Sequence, residues 1–307
     1  MCSMHKWGFA LAVCVFASLL GQKSNLEART PASRARGTDS LALRTSRSSA
    51  SDLELSGSLI GVPAGEHRFL TREDLLTLPQ VTYNVSDDAN FTKPTQVSGV
   101  LLEELNQRIS ARPHTDMVIA LCSDLYQANY PHSYMVLHKP VLVLLIDGKA
   151  PGDWPRDSEG HAAYMGPYLI SHAQFMPSFY VGLNPEEAQI PWGVVRLDFR
   201  DERKTFATIA PRGAQAGSPE VQAGYRIAEQ HCFRCHNRGP DGGQKAGRPW
   251  EVLATWAVAS PQYFAAYVRN PQSKNLRALM PGNPNYDDAT ISDLILYFQT
   301  FDARSQP

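Results

Sequence analysis

The sequence predicts two successive folds, an α+β region followed by an all-α region. Between residues 59 and 200, apolar runs of strand length alternate with short helical patterns. From residue 218 onward, apolar residues recur instead at helical spacing. Between the two patterns lies Pro211-Arg-Gly-Ala-Gln-Ala-Gly217, a Gly/Ala-rich connector. A chain of 307 residues has room for about two domains on the usual length prior. Its 29 basic and 30 acidic side chains leave a formal charge of −1, which removes the basic field a nucleic-acid-binding protein needs.

The expected organisation is a signal peptide at 1–21, a flexible leader at 22–56, an α+β domain at 57–202, a linker at 203–217 and an all-α domain at 218–307. Lys6 precedes the apolar run Trp7 to Gly21, which has the length of a secretory signal and is short for a membrane span. Leu11-Ala12-Val13-Cys14 is similar to a lipoprotein processing box, so a lipid anchor is an alternative. Val13 is bulky where that box takes a small residue. The mature protein is expected to have no membrane span. Residues 22–56 are rich in Ser, Arg, Ala and Thr and show no hydrophobic period.

In the α+β region, Thr71-Arg72-Glu73-Asp74 has capping-box spacing ahead of Leu75 and Leu76. Val81–Val85 alternates as a strand does. Ser98 is expected to cap a helix carrying Leu101, Leu102, Leu105 and Ile109 on one face. Met117–Leu121, Val141–Ile146, Tyr168–Ser171 and Val194–Phe199 are further strand candidates, with an Asp147-Gly148 turn after the second. His132, Met135 and His138, then His161, Met165, His172 and Met176, supply imidazoles and thioethers that would suit copper. The same residues serve equally as core or surface. Tyr126, Tyr130 and His132 would line a pocket or merely pack.

The all-α region opens with Ser218 as N-cap and Pro219 at the first helical position. Val221, Gly224, Tyr225 and Ala228 share one face of that helix. Then comes His231-Cys232-Phe233-Arg234-Cys235-His236. Two cysteines separated by two residues and followed by histidine form the attachment signature of a c-type haem. Each thiol bonds one vinyl group, and the histidine ligates the iron. A zinc site would need a second ligand pair, yet no cysteine or histidine follows His236. Met280, in Leu279-Met280-Pro281-Gly282, is the candidate for the sixth iron position; the alternative is a core-filling methionine. Further helices are expected from Pro249 through Ala257, from Ser260-Pro261 to Asn270-Pro271, and from Asp287 with Ile291, Leu294, Ile295 and Phe298 inward.

Residues 219–302 resemble the single-domain class I cytochromes c in their order: a helix, CxxCH, a variable middle, a Met-Pro loop and a closing helix. That resemblance implies haem c, with Cys232 and Cys235 as covalent attachments and His236 and Met280 as iron ligands. It further implies that Gly224 lets the first helix touch the last, at Leu294 and Tyr297. The Pro249 carbonyl would accept a hydrogen bond from His236. Ala228 replaces the family's aromatic four residues before the first cysteine, with Tyr225 placed to fill the gap. In bacteria, c-type attachment takes place outside the cytoplasmic membrane, so a periplasmic or otherwise exported location is expected.

A second resemblance covers residues 59–200. Leu-Thr-x-x-Asp-Leu-Leu-x-Leu-Pro (70–79), Ser-Gly-Val-Leu-Leu-x-x-Leu (98–105), Ser-Asp-Leu-Tyr (123–126), Asp-Gly-Lys-Ala-Pro (147–151) and Gly-Pro-Tyr-Leu-Ile (166–170) follow the order found in oxidoreductase molybdopterin-binding domains of the sulfite oxidase fold. Enzymes of that family hold molybdenum through a cysteine placed before the Gly-Val-x-Leu segment. Val81 to Val97 contains no cysteine. Cys122 follows an apolar run and reads as a small buried hydrophobe. The chain is thus expected to be an exported monohaem electron carrier rather than an independent catalyst. Its N-terminal docking domain lacks molybdopterin, and its partners are redox proteins such as a periplasmic oxidoreductase or oxidase. The alternative is a molybdopterin-dependent, sulfite oxidase-like dehydrogenase that passes electrons to its own haem.

Overall fold

The computed structural model describes residues 41–86, 88–91, 93–154 and 165–301. The expected signal peptide, the leader up to residue 40, and His161 lie outside them. Among the described residues the N-terminal region is a mixed α/β unit around one curled sheet of nine strands. Its strands are β1 (Leu53–Gly57), β2 (Arg68–Leu70), β3 (Val81–Val85), β4 (Thr95–Leu101), β5 (Met117–Cys122), β6 (Gln127–Pro131), β7 (Val141–Ile146) and β8 (Tyr168–Ser171). A two-stranded ribbon, β9 (Tyr180–Val181) and β10 (Asn184–Pro185), precedes the ninth sheet strand, β11 (Trp192–Arg200).

The long β11 is the strand around which the sheet curls. It runs parallel to β1 and antiparallel to β5 and β8, with register shifts between Trp192 and Arg196 that let it serve several partners. One core fills the curl, with Leu55, Leu70, Tyr130 and Leu197 fully buried. A smaller one gathers Val97, Val143 and Met165.

Three short helices lie among these strands: α1 (Arg72–Leu76), α2 (Leu102–Arg108) and α3 (His132–His138). The Thr71 capping box forms as expected, its hydroxyl accepting from the Asp74 amide and the Asp74 carboxylate accepting from Thr71 N. Ser98 caps no helix. It lies inside β4, opposite Thr82, and α2 begins only at Leu102. Ladder pairing of β4 with both β3 and β7 outweighs the local cap, because it satisfies backbone groups on both edges of the strand. The leader boundary at residue 56 is also too late. Leu53 and Leu55 are fully buried in β1, and Arg44 exchanges backbone hydrogen bonds with Phe69. Two leucines at strand spacing are too short a period to stand out from Ser-rich surroundings.

After β11, α4 (Glu202–Ala207) occupies the start of the expected linker and buries Phe206. The helical region contains α5 (Pro219–Ile227), α6 (Trp250–Ala259), α7 (Pro261–Arg269) and α8 (Asp288–Gln299). Ser218 caps α5 and Asp287 caps α8, each side chain accepting a first-turn amide. Its core is continuous with the sheet, for Met117 and Ile119 of β5 belong to the same buried cluster as Phe233, Trp250 and Tyr297. No helix among the described residues is long and apolar enough to cross a membrane.

α5 crosses α8 at Gly224. A Cβ there would sit 2.1 Å from the Asp293 carbonyl oxygen and 2.8 Å from the Tyr297 Cβ. Tyr225 packs beside this crossing, its ring 5.7 Å from that of Tyr297. Backbone cannot yield to an added methyl as a flexible side chain can. Gly224→Ala is therefore expected to lower stability by about 2 kcal/mol or more through overpacking, measured by denaturant unfolding of the holoprotein.

Candidate haem site

The cysteine motif is carried by the end of α5. That helix continues into one π turn, Ala228–Cys232, before the chain reverses. Cys235 N and His236 N both return to the Cys232 carbonyl, which closes the turn and puts the two thiols and the imidazole on one short segment. Neither cysteine is engaged in a disulfide. Phe233, between them, is fully buried and lies edge-on to Trp250. The following loop folds back over the motif: Gly243 N donates to Phe233 O, and Ala246 N to Cys235 O. Gly243 is required there, since a Cβ would fall 1.8 Å from the Arg234 carbonyl oxygen.

His236 is 8% exposed, and its Nδ1 lies 2.7 Å from the Arg248 carbonyl oxygen. A carbonyl only accepts, so Nδ1 donates and Nε2 keeps its lone pair. Burial lowers the proton affinity of this imidazole, and the Arg248 charge does so too, against the opposing effect of the Arg248 hydrogen bond. The acceptor differs from the expected Pro249. Pro249 is the N-cap of α6, and its carbonyl is turned into that helix to take Val252 N. The carbonyl one residue earlier faces the histidine instead.

Met280 lies in the loop between α7 and α8, half-buried, with Leu279 fully out in solvent. The loop is pinned to the end of α7. Gln272 Nε2 donates to the carbonyls of Ala278 and Met280, and Asn283 holds the Val268 carbonyl through both its backbone and its side-chain amide. Its far end reaches the motif, where the Tyr286 ring stands edge-on to His231 at 6.1 Å. Two thiols, an imidazole with its Nδ1 already engaged, and a thioether in a braced loop form the donor set that a covalent haem takes. These residues fit the group.

Contacts from the sheet region complete the site, and no local pattern in the sequence signals them. The turn between β5 and β6 clamps the motif: Gln127 N donates to Arg234 O, and Gln244 N donates to Leu125 O. Lys245 Nζ lies 2.5 Å from Asp124 Oδ2. The Arg234 guanidinium, buried between the cysteines and the sheet, is 3.4 Å from the Tyr126 hydroxyl and 3.5 Å from Glu187 Oε2. Glu187 also faces His231 at 3.3 Å.

Of the described histidines and methionines of the sheet region, His138 and His172 come together, both against Tyr134 and Phe175. Met135 and Met165 are core residues, whereas His132 and Met176 are exposed. His138 pairs with Glu186 and stacks on Phe175. Tyr130 is fully buried, its hydroxyl on the Gln189 carbonyl. Among the described residues no three His, Cys, Asp or Glu side chains cluster as a metal site. Cys122 is 4% exposed, and burial raises its thiol pKa, the reverse of what a thiolate ligand for molybdenum needs.

Comparison with known proteins agrees for the helical region. A family model described as cytochrome C oxidase, cbb3-type, subunit III matches residues 219–298. The C-terminal region therefore carries a cytochrome c domain, which implies haem c, electron transfer and redox partners. No curated protein matches the chain. Solved structures that match include the crystal structure of the sulfane dehydrogenase SoxCD from Paracoccus pantotrophus, at 16% identity and a TM-score of 0.32. That match covers 56% of this chain and 45% of the other, so this chain spans less than half of the length of its counterpart.

A buried imidazole makes the fold acid-sensitive. Tyr134 OH accepts from Gln189 N and lies 3.2 Å from Nε2 of His172, which is 1% exposed. Burial first, and the nearby His138 charge second, push the His172 pKa from 6.5 down to about 3. The unfolded chain therefore binds a proton below about pH 6.5 that the folded chain refuses. Stability from this residue should be complete above pH 6.5 and be lost progressively toward pH 3, by roughly a few kcal/mol. Denaturant unfolding at stepped pH tests this, and His172→Gln should flatten that slope.

Proposed function

We propose that this chain is an exported, single-haem c-type cytochrome that carries electrons one at a time between redox proteins. The observation that carries the reading is the CxxCH turn, whose histidine is already oriented by the Arg248 carbonyl. Haem would be tethered by Cys232 and Cys235, with His236 and Met280 as iron ligands; when bound it supplies a one-electron ferrous–ferric couple. The Arg248 carbonyl sets the plane of the imidazole and makes it a stronger donor. Gln272 and Asn283 brace the loop that carries Met280, which supports a thioether ligand offered from an ordered segment. The apolar packing of Phe233 and Trp250 excludes water from one side of the motif.

The sheet region, from Leu53 to residue 202, is proposed as a molybdenum-free docking scaffold, and the cytochrome domain as residues 218–307. Absence of cysteine from Val81 to Val97 and the burial of Cys122 both support this reading over a molybdopterin-dependent dehydrogenase. As a scaffold, the sheet contributes the clamp on the haem turn through Gln127, Leu125 and Asp124.

Acid-acetone treatment of the purified protein should leave one haem per chain on the polypeptide. Changing both Cys232 and Cys235 to Ala should abolish that attachment; retention of covalent haem in the double variant would overturn the assignment. Met280→Ala should abolish the sulfur-to-iron charge-transfer band and lower the midpoint potential, and an unchanged spectrum would place the sixth ligand elsewhere. Protein matured in a host that makes the molybdenum cofactor should contain iron without stoichiometric molybdenum. Cys122→Ser should keep its haem, at a stability cost of about 1–2 kcal/mol. Near-equimolar molybdenum that disappears in Cys122→Ser would favour the dehydrogenase.

A further inference from the structure

We propose that the buried guanidinium of Arg234 raises the reduction potential of the haem, holding it toward the ferrous state, and that Glu187 of the sheet region trims that effect. The inference rests on the haem reading above and adds how the same site is tuned. Among the described residues Arg234 is the one lysine or arginine that is buried. It lies inside the attachment turn, between Cys232 and Cys235 and two residues before His236. A group bonded to both thiols is therefore held against the segment that carries this charge.

The charge is poorly neutralised where it lies. A guanidinium has five N–H donors and is not deprotonated in proteins. Only Nη1 finds partners, the Tyr126 hydroxyl at 3.4 Å and Glu187 Oε2 at 3.5 Å, both longer than an ordinary N–H···O hydrogen bond. Nε and Nη2 are buried and have no hydrogen-bond partner among the described residues. The Glu187 side chain is 53% exposed, so water screens its half of the pair. His231 adds no second cation, since burial first and the Arg234 charge second push its pKa down to about 3. Lys245 is exposed and paired with Asp124 at 2.5 Å. The field of Arg234 reaches the attachment sulfur of Cys232: burial first and the Cys235 thiol second raise that pKa, and the Arg234 charge works against both. Reduction adds one electron from a redox partner to the iron, with no bond made or broken. A fixed cation in a site little screened by water stabilises the state that holds the extra electron. The potential rises accordingly.

The test is a potentiometric redox titration of the full-length holoprotein, read from its visible spectrum. Arg234→Gln should lower the midpoint potential by about 59 mV, a roughly tenfold change in the one-electron equilibrium. Arg234→Lys, which keeps the charge, should recover most of that fall. Glu187→Gln should move the potential upward, by an amount that shrinks as salt is added. That sign separates charge from packing. Both Gln variants break the same Arg234–Glu187 contact, so a turn merely loosened and wetted would lower the potential in both. Glu187 is half-exposed, and its variant keeps the test decisive if Arg234→Gln does not fold. An unmoved potential in Arg234→Gln, a fall in Arg234→Lys as large as in Arg234→Gln, or a fall in Glu187→Gln would each overturn the proposal. Protein without covalent haem would instead sink the electron-carrier reading, before any titration is run.

Discussion

The contact between α5 and α8 at Gly224 is the constraint on which the geometry of the helical region depends. The helix that touches Asp293 and Tyr297 at Gly224 runs, eight residues later, into Cys232. A shift of that crossing would move both cysteines and His236 together. Tyr297 ties the same place to the rest of the chain, since its hydroxyl donates to the Ile209 carbonyl just after α4. Trp250, fully buried between Phe233 and Phe298, carries the packing from the closing helix back to the motif.

The motif is also fixed from outside the helical region. Backbone hydrogen bonds from the β5–β6 turn reach the Arg234 carbonyl and Gln244, on both arms of the loop that encloses the cysteines. Arg234 adds a buried guanidinium aimed at Tyr126 and Glu187. Burying such a charge is costly, and the hydroxyl and carboxylate offset that cost only while the two regions stay together. The sheet is therefore a structural part of the redox site. That arrangement suits a protein whose electron-carrying group must present a constant face to partners.

An acidic cavity at the junction of the two regions follows from the same geometry. Glu186 and Glu187 are neighbours in sequence but point to different tasks, one lining the cavity and the other meeting His231 and Arg234.

How much of this was legible beforehand varies by element. The strands at Val81, Met117, Val141, Tyr168 and Val194 and the Thr71 and Ser218 caps were all readable, because each rests on local period or a local hydrogen bond; the Gly224 crossing came only through the resemblance to cytochromes c. The haem turn was readable for the same reason: its spacing is contained within six residues. Ser98 misled, since its capping potential is local and the ladder that overrides it pairs strands far apart in sequence. The acceptor for His236 was misplaced by one residue, because which carbonyl faces the imidazole depends on where α6 begins. The clamp by Gln127 and Leu125, the Arg234–Tyr126 contact across 108 residues and the acidic junction cavity had no signature at all. By itself the sequence determined what chemistry the chain can carry, through residue type and short spacing. Only the tertiary structure decided what surrounds that chemistry, because those contacts join segments that no local pattern relates.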